Sequence, residues 1–181
     1  MDKALFIDRD GVINQDNGYT FKVSDLQILD GVIEGLKAIQ DLNYKIFIIT
    51  NQSGIARGFF TLRDLQLFMK TLIMFLEDSD IFIRDYFYCP HHIKGVLAEY
   101  TKLCECRKPR PGMIIQAKEK YNLDLSRSVL IGDKESDILA GKEAKLLTNI
   151  LITNKPLRND SMASAGASDL IKAAKIIQQL N

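Results

Sequence analysis

Two aspartates, Asp8 and Asp10, follow the apolar run Ala-Leu-Phe-Ile at residues 4–7 and precede Gly11. In extended backbone, residues i and i+2 project to the same side, so the two carboxylates converge. Converging carboxylates repel, and a bound cation relieves them; donor sets made only of oxygen suit Mg²⁺. Asp133, in Ile131-Gly132-Asp133-Lys134, supplies a third carboxylate behind another apolar run. The first pair alone reads equally as an Asp-Gly turn, but with Asp133 it reads as a Mg²⁺ site. Thr50-Asn51-Gln52-Ser53-Gly54 adds a hydroxyl and a row of backbone N–H groups of the kind that cradles phosphoryl oxygens. Lys108 carries a charge able to neutralise both a carboxylate and a phosphoryl group. The chemistry this set could perform is attack on a phosphate monoester, since a carboxylate is a competent nucleophile once its electrophile is held and screened.

A second constellation has other ligands. Cys89-Pro90-His91-His92 and Cys104-Glu105-Cys106 contain every cysteine of the chain, with twelve residues between His91 and Cys104. Three thiolates and one imidazole suit tetrahedral Zn²⁺ in a closed, structural site, and the spacing admits either histidine. In zinc-finger peptides such a site is worth roughly 10–16 kcal/mol, enough to order a loose loop. Arg107 and Lys108 follow the second cysteine pair directly, so zinc would position both. Arg107 offers a bidentate fork for phosphate or sugar hydroxyls.

These residues need a scaffold that brings them together. Apolar runs at 4–7, 46–50, 85–88, 129–131 and 149–153 read as buried strands. Helical patterns lie between them. From Thr61, residues Leu65, Phe68, Met69, Leu72 and Leu76 share one face, and Thr61 with Asp64 resembles a capping box. Pro111-Gly112 opens a second helix to about Tyr121; a third spans about 135–144, and residues 170–180 close the chain. Strands alternating with helices predict an α/β fold: a Rossmann-like parallel sheet with helices on both faces. In such sheets ligands bind at the carboxyl ends of the strands, where Asp8, Thr50, the Cys/His loop and Asp133 all fall. Segments 14–24 and 89–110 read as long functional loops, and 154–168 as a polar connection. The intervals between motifs leave no room for a large cap domain.

The 181 residues are 46% hydrophobic and 26% charged, with 24 Lys+Arg against 23 Asp+Glu. These values predict a single globular domain over 1–181, with the zinc loop at 89–106 inserted in it. A balanced charge argues against nucleic acid as a partner. No apolar run is long enough to span a bilayer, and the N-terminus lacks a secretory pattern. The expectation is a cytoplasmic monomer acting on a small molecule, with no membrane partner.

The ordered set Asp8-x-Asp10-Gly11, Thr50-Asn51, Lys108 and Gly132-Asp133-x-x-x-Asp137 resembles the four motifs of the haloacid dehalogenase superfamily of phosphotransferases, over about the first 150 residues. The resemblance implies that Asp8 attacks phosphorus and Asp10 is the general acid/base. It further implies that Thr50 and Lys108 hold the phosphoryl group, and that Asp8, Asp133 and the Asp10 backbone carbonyl ligate Mg²⁺. Asp137, one turn into the next helix, would support the site without ligating. Cys-Pro-His-His at 89–92, the run 104–113, Thr-Asn-Gln-Ser-Gly-Ile-Ala-Arg-Gly at 50–58 and Asp-Asn-Gly-Tyr at 16–19 resemble, within that superfamily, the branch of the heptose-1,7-bisphosphate 7-phosphatases. That likeness points to His91 as the fourth zinc ligand. It implies substrate contacts at Asp16, Asn17, Gly18, Tyr19, Thr50, Asn51, Gln52, Ser53, Arg107, Lys108 and Lys134. It also implies Mg²⁺-dependent release of the 7-phosphate of a heptose bisphosphate in nucleotide-activated heptose and lipopolysaccharide biosynthesis. The alternative is a related histidinol-phosphate phosphatase, which typically carries Asp where this chain has Ser53, or a broader sugar-phosphate phosphatase. Ile93 departs from the proline frequent in the heptose branch. A non-catalytic, zinc-stabilised binding module is the alternative from a different class.

Overall fold

A computed structural model describes residues 1–180. Six parallel strands form one sheet in the order β3-β2-β1-β4-β5-β6: β1 (Ala4–Ile7), β2 (Lys45–Asn51), β3 (Ile83–Cys89), β4 (Val129–Gly132), β5 (Thr148–Ile152) and β6 (Ala165–Ala167). Five helices connect or flank them: α1 (Val32–Asp41), α2 (Leu62–Glu77), α3 (Gly112–Tyr121), α4 (Glu135–Glu143) and α5 (Leu170–Gln178).

Strand side chains alternate between two cores. Leu5, Ile7, Ile46, Ile48, Val129 and Ile131 pack with α1, α2 and α5 on one face. Ala4, Phe6, Phe47, Ile49 and Leu130 pack with α3 and α4 on the other. Burial on both faces is why the strands read as continuous apolar runs without polar alternation. The capping box of α2 is present: the Thr61 hydroxyl accepts from the Asp64 N–H at 3.2 Å, and Asp64 accepts from the Thr61 N–H at 2.8 Å.

Two elements depart from the sequence reading. Helix α1 was not among the expected helices. Its interior Gly35 weakens the helical signal, but the structure requires it, because a Cβ there would lie 2.6 Å from the Leu170 backbone of α5. Strand β6 falls inside 154–168, expected to be a plain connection; Ala-Gly-Ala has no β-branched or aromatic residue to announce a strand.

β1 pairs with β2 on one side and β4 on the other. The chain leaves β1 in one direction, builds β2 and β3, and then crosses to β4. This is the topological switch point, where the carboxyl ends of neighbouring strands open a crevice. Among the described residues no helix is long and apolar enough to cross a membrane.

Candidate active site

Asp8 leaves the end of β1 with its N–H donating to the Ile131 carbonyl of β4 at 3.0 Å, which seats it in the crevice. Lys108 reaches the same point from the loop after the cysteines and is 4% exposed. Its ammonium lies 2.8 Å from Asp8 Oδ1 and 2.6 Å from Asp137 Oδ1, and donates to the Ile49 carbonyl at 2.8 Å. Burial works to discharge this lysine, but the carboxylates of Asp137 and Asp8 outweigh it and hold its pKa above the ordinary value. Asp137 caps α4 as well, accepting from the Lys134 N–H at 3.0 Å.

Asp133 lies beneath the loop that carries Asp8. Gly11 (φ +82°) passes so close that a Cβ would stand 2.5 Å from Asp133 Oδ2, so only glycine fits there. Burial, then the neighbouring Asp8, raise the Asp133 pKa to about 7, with Lys134 opposing. Carboxylate oxygens of Asp8, Asp133 and Asp137 all lie within 4.8 Å of one another. Asp133 Oδ1 is buried without a hydrogen-bond partner. Like charges about 4–5 Å apart repel by roughly 3–4 kcal/mol at an effective dielectric constant of 20. An orphaned buried oxygen amid such repulsion fits a hard cation with oxygen ligands. Asp137 has both oxygens engaged, Oδ1 by Lys108 and Oδ2 by the Lys134 N–H, whereas Asp8 gives only Oδ1 to Lys108, which leaves its second oxygen and the orphaned Asp133 Oδ1 to face a cation.

The Asp10 carboxyl faces a different set of partners. It accepts from Arg9, from Asn14 Nδ2 at 3.0 Å and from Gln52 Nε2 at 3.0 Å. Burial raises its pKa, Arg9 opposes and Asp8 adds to the rise. The Gln52 amide also donates to the Thr50 hydroxyl at 2.7 Å. Asn51 makes a reciprocal pair with the Lys108 backbone: Nδ2 donates to its carbonyl and Oδ1 accepts from its N–H, both at 3.1 Å. That pair docks the Arg107-Lys108 step onto the end of β2, a bracing role its spacing did not reveal.

A cavity of about 470 Å³ opens over these groups. Asp8, Asp10, Asp16, Gly18, Tyr19, Thr50, Asn51, Gln52, Ser53, Arg107, Lys108 and Lys134 line it, so most of the expected contacts converge there. Asp133 and Asn17 stand outside this lining. Asn17 is exposed, and its N–H donates to the Thr20 hydroxyl at 3.0 Å, shaping the loop. Lys134 pairs with Asp16 at 3.2 Å and Asp133 at 3.4 Å, joining loop 14–24 to the start of α4. Ser136, Thr20 and Pro109 also line the cavity and were not anticipated. A neighbouring cavity shares Arg107 and Lys108 and is lined by Arg57, His92, Lys94, Lys102 and Arg110, with no carboxylate in its wall among the described residues.

At the end of β3, Cys89 lies in register with Asn51 of β2. Its sulfur is 3.0 Å from Cys106 Sγ and 3.5 Å from Cys104 Sγ, and His91 Nδ1 lies 3.3 Å from Cys106 Sγ. Tetrahedral zinc with 2.3 Å Zn–S bonds implies edges of about 3.8 Å, close to this arrangement. His92 turns away, its Nε2 facing Arg57 at 3.1 Å. Hydrogen bonding with Cys89, and then with His91 and Cys104, pulls the Cys106 thiol down to about 5, while Cys89 is pushed up. Arg107 Nη1 donates to the His91 carbonyl at 3.2 Å, tying the cluster to the cavity wall.

A family model described as haloacid dehalogenase-like hydrolase matches residues 2–145. D-glycero-alpha-D-manno-heptose-1,7-bisphosphate 7-phosphatase of Photorhabdus laumondii is 42% identical over 177 residues, covering 97% of each chain. D-glycero-beta-D-manno-heptose-1,7-bisphosphate 7-phosphatase of Pasteurella multocida is 41% identical, covering 91% of this chain and 90% of that one. The crystal structure of D,D-heptose 1,7-bisphosphate phosphatase from B. bronchiseptica, complexed with magnesium and phosphate, superposes with a TM-score of 0.83. It is 25% identical, and the match covers 99% of both chains.

The raised Asp133 pKa carries a pH dependence. Its protonated form is favoured in the folded chain, so this contribution to stability is complete below about pH 4 and is lost as pH rises through about 7. In chelator, the thermal midpoint of the wild type should fall across that window more than that of Asp133→Asn. Added Mg²⁺ should raise the wild-type midpoint at pH 7.5 and leave the variant's nearly unchanged. Parallel curves for the two proteins, and equal responses to Mg²⁺, would contradict the assignment.

Proposed function

The chain belongs to the haloacid dehalogenase-like hydrolase family and is a phosphatase, and from there we propose that it removes the 7-phosphate of D-glycero-D-manno-heptose 1,7-bisphosphate. The observation that carries the substrate is likeness over 97% of both chains to a protein of that activity. Residue chemistry supports the reaction class independently.

In this reading Asp8 attacks phosphorus, a P–O bond to its carboxylate forms, and the bond to the sugar oxygen breaks. Asp10 gives its proton to the departing oxygen. It then takes a proton from the water that hydrolyses the aspartyl-phosphate, which restores both aspartates and releases inorganic phosphate. A buried Asp10 with a raised pKa is suited to hold that proton, and general acid help is worth about 10²–10⁴-fold. Lys108 balances charge on Asp8 and on the phosphoryl oxygens, and Thr50 supplies a hydroxyl beside them. Asp8, Asp133 and the Asp10 carbonyl would hold Mg²⁺, which supplies the screening that lets one anion approach another.

The sugar lies against loop 14–24, where Asp16, Gly18 and Tyr19 meet Lys134 across the cavity. Arg107 and the carboxylate-free wall bearing Arg57, Lys94 and Lys102 offer the positive charge that a second phosphate needs. The product, a heptose 1-phosphate, keeps an anomeric phosphate suited to nucleotidyl transfer, in keeping with a place in activated-heptose supply. Cys89, His91, Cys104 and Cys106 would hold one structural Zn²⁺, which would order the loop and so present Arg107 and Lys108.

Phosphate release with Mg²⁺, compared among both anomers of heptose 1,7-bisphosphate and histidinol phosphate, tests the substrate. A kcat/KM preference of about 100-fold for one heptose anomer is expected, about 2.7 kcal/mol of transition-state discrimination. Equal or faster turnover of histidinol phosphate would overturn the heptose assignment. Elemental analysis of protein purified without chelator should give about one zinc per chain; none would remove the structural zinc.

A further inference from the structure

Arg9 is the largest side chain wholly withdrawn from solvent, and no step above uses it. Burying a guanidinium costs several kcal/mol unless its hydrogen bonds are met, so its partners bear on what it does. Nε donates to Asp10 Oδ1 at 2.9 Å, and Nη2 lies 2.7 Å from both Asp10 oxygens. The same Nη2 donates to the Thr20 carbonyl at 2.6 Å. The guanidinium lies over the Phe68 ring of α2, 4.5 Å from its centroid, and Nη1 is buried without a partner.

This arrangement grips one carboxyl group from the side away from the cavity. Asn14 and Gln52 take one Asp10 oxygen each from their own loops. Arg9 spans both oxygens with a rigid planar fork, which the point charge of a lysine does not reproduce. Thr20 belongs to loop 14–24 and lines the cavity with Asp16, Gly18 and Tyr19. One nitrogen, Nη2, therefore touches both Asp10 and the loop that faces the sugar.

We propose that Arg9 is a positioning residue: its guanidinium, seated on Phe68, locks the Asp10 carboxyl in one orientation toward the cavity and ties that orientation to loop 14–24 through the Thr20 carbonyl. The inference rests on the reading of Asp10 as general acid. A purely architectural role would weaken the fold and slow all substrates alike, and a role confined to shaping loop 14–24 would raise KM for the sugar phosphate without lowering its kcat. A positioning role falls hardest on substrates whose leaving group needs a proton.

The test compares kcat/KM, which reports steps up to leaving-group departure, for p-nitrophenyl phosphate and an alkyl sugar phosphate in the full-length Mg²⁺-loaded protein. p-Nitrophenolate departs without protonation, whereas a sugar alkoxide does not. Arg9→Gln should lose on the order of 10²-fold on the sugar phosphate, in kcat as well as in kcat/KM, and less than about 5-fold in kcat/KM on the aryl ester. Arg9→Lys, which keeps the charge but not the fork, should fall between Arg9→Gln and the wild type. Phe68→Leu leaves Arg9 and Asp10 in place and loosens the seat, so it should shift the same ratio in the same direction by a smaller factor. If Arg9→Gln does not fold, Arg9→Lys and Phe68→Leu decide. Equal losses on the two substrates, or none, would overturn the proposal. A wild type that hydrolyses alkyl phosphates but ignores heptose bisphosphate would overturn only the substrate assignment, with the Arg9 ratio still readable.

Discussion

The ammonium of Lys108 sits between the carboxylates of Asp8 and Asp137 and donates to the carbonyl of Ile49, almost entirely out of solvent. A buried charge of this kind is tolerable only when it is paired and hydrogen-bonded, and each partner comes from a different strand end. Asp8 follows β1, Ile49 lies in β2 and Asp137 stands in the first turn of α4, after β4. The pairing therefore requires that the three strands sit side by side in one register. Lys108 and Lys134 are two cations against the four carboxylates of Asp8, Asp137, Asp133 and Asp16, so negative charge is left over, and the unpaired Asp133 Oδ1 lies in that surplus, which suits a divalent cation.

Lys108 has no regular element of its own to hold it. The segment before it rises from the end of β3, gathers three sulfurs and the His91 ring, and returns to β2 through the reciprocal Asn51 pair. The Cys/His cluster and Lys108 are thus consecutive parts of one path, and order in the first fixes the second. Arg107, bonded to the His91 carbonyl, lies between the two cavities. On the opposite wall, Lys134 and Asp16 link loop 14–24 to α4. The Tyr19 and Phe59 rings meet edge to face at 4.7 Å and join that loop to the one following Thr50. With no cap domain among the described residues, these braced loops line the approach to Asp8.

Much of this was legible in the sequence because the informative residues stand at strand ends. The spacing of Asp8 and Asp10, the run after Thr50 and the Gly132-Asp133 turn each follow an apolar run, so topology alone brings them together. The cysteines were legible through their pairing, while the choice between His91 and His92 turned on side-chain direction, which spacing does not encode. Helix α1 was hidden by Gly35, whose cost in propensity is outweighed by close packing on Leu170. Strand β6 was hidden by its small residues. The grip of Arg9 on Asp10 was illegible for another reason: a contact between adjacent residues depends on a turn, here closed by N–H groups of Ile13 and Asn14 on the Arg9 carbonyl. The bracing role of Asn51 was illegible because its backbone partner lies fifty-seven residues away.

Identification of the phosphorylated residue during turnover tests the central claim most directly. Enzyme mixed with Mg²⁺ and substrate, quenched in acid within milliseconds and digested, should yield a peptide carrying phosphate on Asp8 by mass spectrometry. Its amount should rise and decay as phosphate is released. Phosphate release without any acyl-phosphate on Asp8, or with phosphate on another side chain, would contradict the assignment of Asp8 as the nucleophile.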